Sequence, residues 1–273
     1  MTRAALVVIL VVLPSLMVAD TSHHTNQTVA LVALLAGVFT LAEYNSAYPS
    51  IVEFRCAPPF NRLRFLILFL MVFSMAMVAK GKIDPTTLTD IFAILGARLA
   101  DMMDFPYSPV RLVVLMLHDN APAALVREVR IAAGLSYLIS LLGLIAFIMV
   151  LRLRAWPSQG GAGFNVWVNL PTFDPTTGGD VVQRLERESH VNLILGFLVP
   201  FLIPAIVKLA SGVFDPVSLA NPHTLIWTMT AWAFLPASLI MRGVALSRLA
   251  RLISAQRSRA CLDDIDAVQP SAV

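Results

Sequence analysis

The sequence predicts an all-α integral membrane protein. The expected architecture is a bundle of about six transmembrane helices, or five if residues 1–19 are cleaved. To these it adds an amphipathic helix on the outer face and a short extended segment in an inner loop. Three observations predict this fold. Uncharged stretches occupy 4–19, 21–42, 65–79, 131–151, 191–207 and 216–241, and a helix crosses a hydrocarbon core with about 20 apolar residues. The chain is 58% apolar and only 14% charged, where a soluble domain carries about 25% charged residues. Its arginines gather on alternate connections. With a cytoplasmic N-terminus, 13 of the 20 basic residues fall on the inner segments and seven on the outer ones, the bias expected from the positive-inside rule.

The first apolar stretch, 4–19, follows Thr2-Arg3 and ends at Ala19-Asp20, much like a secretory signal. Met17 at the −3 position of a cut after Ala19 is bulky for cleavage, which favours retention. Retention puts both termini in the cytoplasm, whereas cleavage would put the new N-terminus outside. The second crossing spans 29–48 and ends near Pro49. In the following inner loop Pro58-Pro59 forbids helix. The third crossing is short, and Arg64 and Lys80 are expected to snorkel to its ends.

In the long outer loop 80–130, Asp84-Pro85 reads as a helix start, an acidic N-cap with proline at N1. Leu88, Ile91, Phe92, Leu95, Leu99 and Met102 then recur at helical spacing, the mark of a helix lying on the outer membrane face or packed over the bundle. A fourth crossing starts after Asn120-Ala121-Pro122 and runs through Arg127 and Arg130. In the inner loop 152–190, Gly160–Gly163 reads as a linker, 165–173 as the extended segment, and Asp180 as the cap of the helix entering the fifth crossing. Pro200 and Pro204 should kink that crossing. The chain thus divides into a transmembrane bundle, 1–241, and a basic juxtamembrane helix with a disordered cytoplasmic tail, 242–273.

Composition and motifs narrow the function. Cys56 and Cys261 are too few for a disulfide framework or a thiolate metal site. Hydrolase, zincin and phosphate-loop motifs are missing from the sequence, so no catalytic residue and no cofactor is assigned. Glu43, with Tyr44 and Asn45, is the candidate intramembrane polar site, since a carboxylate in lipid is costly. The alternative is that Glu43 sits at the inner interface and pairs with Arg55, Arg62 or Arg64. His23, His24, His118 and His223 all fall on the outer side and are weak candidates for a metal or haem, without H-x-x-x-H spacing.

Arg55, Arg62 and Arg64, and Arg242, Arg248 and Arg251, are placed to meet anionic headgroups on the cytoplasmic face; arginines set against the bilayer do not suit nucleic acid. With Trp167 they also form a surface for docking other membrane-protein subunits, to which the inner loops are expected to add Phe54, Pro58, Pro59, Phe60, Trp156 and Phe173. The leading expectation is a non-catalytic assembly factor, scaffold or accessory subunit of a larger membrane complex. The alternative is a small-solute transporter or channel built on the kinked fifth helix and Glu43. Small size, short loops and the signal-like start point to a bacterial inner membrane.

Overall fold

The computed structural model describes residues 1–18, 23–118, 120–154, 156, 165–174, 176, 178–210 and 218–268, without the side chains of residues 23, 24 and 261–268. The Ala19 cleavage point, the 160–163 linker and the side chains of His23, His24 and Cys261 lie outside this description. Nine α-helices and one 3-10 turn follow in order among the described residues: α1 Thr2–Met17, α2 His23–Asn45, α3 Phe60–Lys80, α4 Thr87–Met103, α5 Pro109–Leu112, the turn Val113–Met116, α6 Ala123–Leu153, α7 Val166–Asn169, α8 Val181–Ala210 and α9 Pro222–Val268. Five of them, α2, α3, α6, α8 and α9, are long and apolar enough to cross a membrane. The chain is a multi-pass membrane protein.

The sixth apolar element, α1, has 16 residues, or about 24 Å at 1.5 Å per residue, short of the roughly 30 Å of hydrocarbon. It packs against α2, α3 and α9, burying Leu10 and Pro14. The core is the trio α3, α6 and α9, whose mutual faces bury Phe60, Met71, Phe147, Leu151, Met229 and Met241. Helix α8 lies along α9, and α4 covers α3 and α6. Helix α2 is peripheral: among the described helices it packs on α1 alone.

Several local expectations change. Helix α4 is capped by Thr86 rather than Asp84: the Thr86 and Thr89 side chains exchange hydrogen bonds with each other's backbone N–H, a reciprocal box that a single acidic cap cannot match. Its packed face is Thr89, Gly96, Leu99 and Ala100, while Leu88, Ile91, Leu95 and Met102 stay exposed. The stretch expected to be extended forms the helical turn α7. There the Asn165 side chain accepts the Val168 N–H, closing a capped turn in place of a strand edge that would have no neighbour. Helix α9 continues to Val268 through the acidic 263–266 stretch that the sequence assigned to a disordered tail. Nothing between Gly243 and Pro270 breaks it.

Apolar side chains gain little from leaving lipid for a helix interface, so close packing and buried hydrogen bonds must hold the bundle. The α8–α9 contact shows both. A Cβ on Gly196 would lie 2.9 Å from the Pro236 carbonyl oxygen, and one on Gly243 would lie 2.9 Å from that of Ser189. The Ser189 hydroxyl donates to the Gly243 carbonyl at 2.8 Å. The two prolines of α8 fit this contact. Pro204 has no N–H for the Pro200 carbonyl four residues back, and the Trp232 indole N–H of α9 donates to that oxygen instead, at 3.0 Å. The freed carbonyl thus becomes a bond between helices.

Replacing Gly196 with Ala should destabilise the protein by about 1–3 kcal/mol, because the new methyl meets the Pro236 carbonyl oxygen and the Ile240 main-chain nitrogen as well as the Ile240 side chain. Thermal unfolding in detergent measures this, and an unchanged midpoint would show that α8 and α9 are not held at contact distance.

Candidate functional site

The polar chemistry concentrates at the arginine-rich end of the bundle, where α2 ends, α3 and α8 begin and α6 and α9 emerge. Its first component is Glu43, buried in the last turn of α2. The carboxylate accepts the backbone N–H groups of Ser50, Ile51 and Val52 at 3.0–3.2 Å and the Ser50 hydroxyl at 2.9 Å. No arginine pairs with this carboxylate among the described residues. Arg55 instead donates to the backbone carbonyls of Glu43 and Ser46, at 2.8 and 2.6 Å. The sequence offered Glu43 as an intramembrane site or as an arginine partner; in the structure it is the staple that folds the loop back on its own helix. Tyr44 lies beneath the Arg3 guanidinium, 4.1 Å from the ring centroid, and Asn45 is exposed at the helix end.

The loop then turns inward. Phe54 takes a left-handed backbone, φ +52°, a conformation that costs a non-glycine residue roughly 1–2 kcal/mol. The compensation is burial: its ring sits 4.3 Å from Phe60 and 5.6 Å from Trp156, and Phe60 meets Phe147 at 5.5 Å. Asn169 of α7 fixes the main chain on either side, its carbonyl accepting the Phe54 N–H at 2.6 Å and its side-chain oxygen the Cys56 N–H at 2.9 Å.

Beside this turn lies an ionic junction. Arg242 of α9 makes a two-pronged contact with Glu53, at 2.7 and 2.9 Å, and reaches Glu188 of α8 at 3.1 Å. The Thr172 hydroxyl also donates to Glu53, at 3.0 Å. Arg242 and Glu53 are largely buried, with side chains 23% and 11% exposed, so the junction is shielded and bidentate, the strong form of such a pair.

Other arginines are engaged the same way. Arg64 does not snorkel; it donates to Ser238 of α9 at 2.5 Å and lies over Phe60 and Phe234. Arg248 donates to the carbonyls of Leu151 and Trp156, capping the end of α6 as a cation should. Arg257 pairs with Asp180 at 2.5 Å and holds that carboxyl below its ordinary value of 3.8. Arg251, Arg62 and Trp167 remain exposed. Arg184 lies over the Phe173 ring.

At the opposite end two histidine side chains, His118 and His223, are described. His118 is exposed, and His223 is buried with neither ring nitrogen hydrogen-bonded. Among the described residues no three His, Cys, Asp or Glu side chains form a metal-binding group.

Sequence reasoning missed Glu53, Asn169 and Glu188, took Arg242 for a headgroup contact, and read Phe54, Phe60, Trp156 and Phe173 as a docking surface, whereas they are buried as the core of this end and Trp167 alone of the aromatics so read stays exposed. One signal was present: Glu53 is the lone acid in an arginine-bearing loop, 49–64.

Replacing Arg242 with Met, or Glu53 with Gln, should each cost on the order of 2 kcal/mol or more, since the surviving charge stays buried without its partner. The double variant should lose less than the sum of the two; additive losses in thermal unfolding would show that the pair is not coupled. Replacing Glu43 with Gln removes a charge and puts an amide donor among N–H donors. Limited proteolysis should then cut the 46–56 loop faster while the spanning helices stay protected, and an unchanged cleavage rate would contradict the staple. No protein-family model, curated protein or solved structure matches the chain.

Proposed function

We propose that this protein is a non-catalytic scaffold, assembly factor or accessory subunit of a larger membrane complex, docking through its arginine-rich end. The observation that carries the reading is the use of charge at that end. Glu43, Glu53, Glu188, Arg64, Arg242 and Arg248 all bond within the chain, which holds the 46–60 loop, α7 and the emerging ends of α8 and α9 in one fixed arrangement. Above them stand exposed apolar and aromatic side chains outside the spans: Tyr48, Ile51 and Trp167, at 76%, 65% and 53% exposure. Rigid loops that display aromatic residues suit recognition of another protein.

Transport draws less support from the same residues. A coupling carboxylate must exchange its partners, and Glu43 accepts four hydrogen-bond donors from one short loop. The Pro200 carbonyl freed by Pro204 is likewise occupied by Trp232. The proposal places the protein in a bacterial inner membrane with the arginine-rich end in the cytoplasm. Exposed Cys56 reports on that orientation: it should react with an impermeant maleimide only from the cytoplasmic side, in a background with Cys261 replaced by Ser.

Purification from native membranes in a mild detergent should yield a stoichiometric membrane-protein partner. Replacing Tyr48 and Trp167 together with Ala should release that partner without lowering the thermal midpoint. A wild-type protein recovered alone and monomeric under these conditions would contradict the docking reading.

A further inference from the structure

We infer that the pocket enclosed by α1, α2 and α3 at the arginine-rich end binds one anionic phospholipid, its headgroup held by Arg3 and Arg62 and an acyl chain lying along Leu6, Val7, Phe65 and Leu66. This inference does not depend on the docking reading, since a chain without protein partners would hold the lipid equally well.

The pocket has a volume of about 410 Å³ and is lined by these residues together with Thr40, Tyr44, Phe54, Arg55, Pro58 and Asn61. Its lining is graded from polar to apolar, and helical spacing causes the gradient. On α1, Leu6 and Val7 follow Arg3 by three and four residues; on α3, Phe65 and Leu66 follow Arg62 by the same steps. Residues three and four apart share a helix face, and each step of that size descends about 5–6 Å. Each of these two walls therefore carries a cation at the membrane end and apolar side chains one turn deeper. Leu6 and Leu66 are half exposed, so the apolar half opens sideways to lipid.

Charge identifies the occupant. Three arginines face the pocket, and no carboxylate lines it among the described residues. The two nearby acids are turned away, Glu43 onto the 50–52 amides and Glu53 onto Arg242. Arg3 rests on the Tyr44 ring, and neither Arg3 nor Arg62 pairs with a carboxylate among the described residues. Arg55 is pre-positioned by two carbonyls on one terminal nitrogen, leaving its other donors for a ligand. Three positive charges around one opening repel one another until an anion enters. A free phosphate would satisfy the arginines but leave the apolar half unfilled, and a zwitterionic lipid would fill the apolar half without supplying net negative charge. The bound lipid would also bridge α2 to α3, which do not pack on each other.

The test uses the full chain, delipidated in a neutral detergent and titrated with phosphatidylglycerol, phosphatidylcholine or glycerol phosphate, read by native mass spectrometry and thermal midpoint. Phosphatidylglycerol should be retained at one per chain and raise the midpoint saturably, with neither effect from the other two. Replacing Arg3 and Arg62 with Gln should weaken phosphatidylglycerol binding about 30-fold, the equivalent of two basic contacts with an anionic lipid, and Arg62→Gln alone, which breaks no contact with the Tyr44 ring, should leave the lipid-free midpoint unchanged. The single variant Arg62→Gln should weaken binding about fivefold, and Arg251→Gln, at an exposed arginine of α9, should have no effect. Equal retention of phosphatidylcholine, equal binding of glycerol phosphate, or full phosphatidylglycerol binding by the double or single variant would each overturn the inference.

Discussion

One guanidinium organises the arginine-rich end. Arg242 leaves α9 where that helix emerges from the bundle, grips Glu53 of the loop between α2 and α3, and reaches Glu188 at the entry of α8. These residues are separated by 189 and 54 positions, so the contact ties the loop between α2 and α3 to the α8–α9 pair that packing and the Ser189–Gly243 bond already hold together. The rest of the end depends on it. With Glu53 fixed, Phe54 can enter the aromatic cluster in spite of its left-handed backbone, Asn169 can take the flanking amides, and Glu43 can hold the loop from the other side. An isolated surface pair would contribute little; this one is shielded, bidentate and shared by three elements.

The same economy explains why the bundle can be nearly free of charge within its spans. Close contact along α8 and α9 replaces the hydrophobic driving force that lipid removes. A small residue permits it at Gly196, and the proline at 204 exposes a carbonyl that Trp232 uses. Several hydroxyls inside the bundle are answered by backbone: Ser74 donates to the Leu70 carbonyl, Ser136 to that of Ala132 and Ser140 to that of Tyr137, whereas the Thr230 hydroxyl is buried without a partner among the described residues.

The five long apolar helices, and the α4 segment among the shorter ones, were legible in the sequence because hydrocarbon thickness and helical periodicity act locally. The site was far less legible. Whether Glu43 is a coupling carboxylate, an arginine partner or a loop staple depends on where residues 50–52 return, which no local pattern encodes. Arg62, Arg64 and Arg242 look alike as a basic rim, yet one lines the pocket between α1, α2 and α3, one turns into Ser238 and one closes an ionic junction. Their different roles follow from the packing of helices distant in sequence. The error at 165–173 has a similar cause: alternation suggested an extended segment, but a strand without a neighbour leaves its amides unpaired, and Asn165 supplies a capped turn.

The central claim is that the arginine-rich end is one rigid unit locked through Arg242. Amide hydrogen exchange in lipid nanodiscs tests it most directly, comparing the wild type with Arg242→Met over residues 50–60 and 166–172. The account predicts slow exchange of both segments in the wild type and their release together in the variant. Fast exchange in the wild type, or release of one segment without the other, would contradict it.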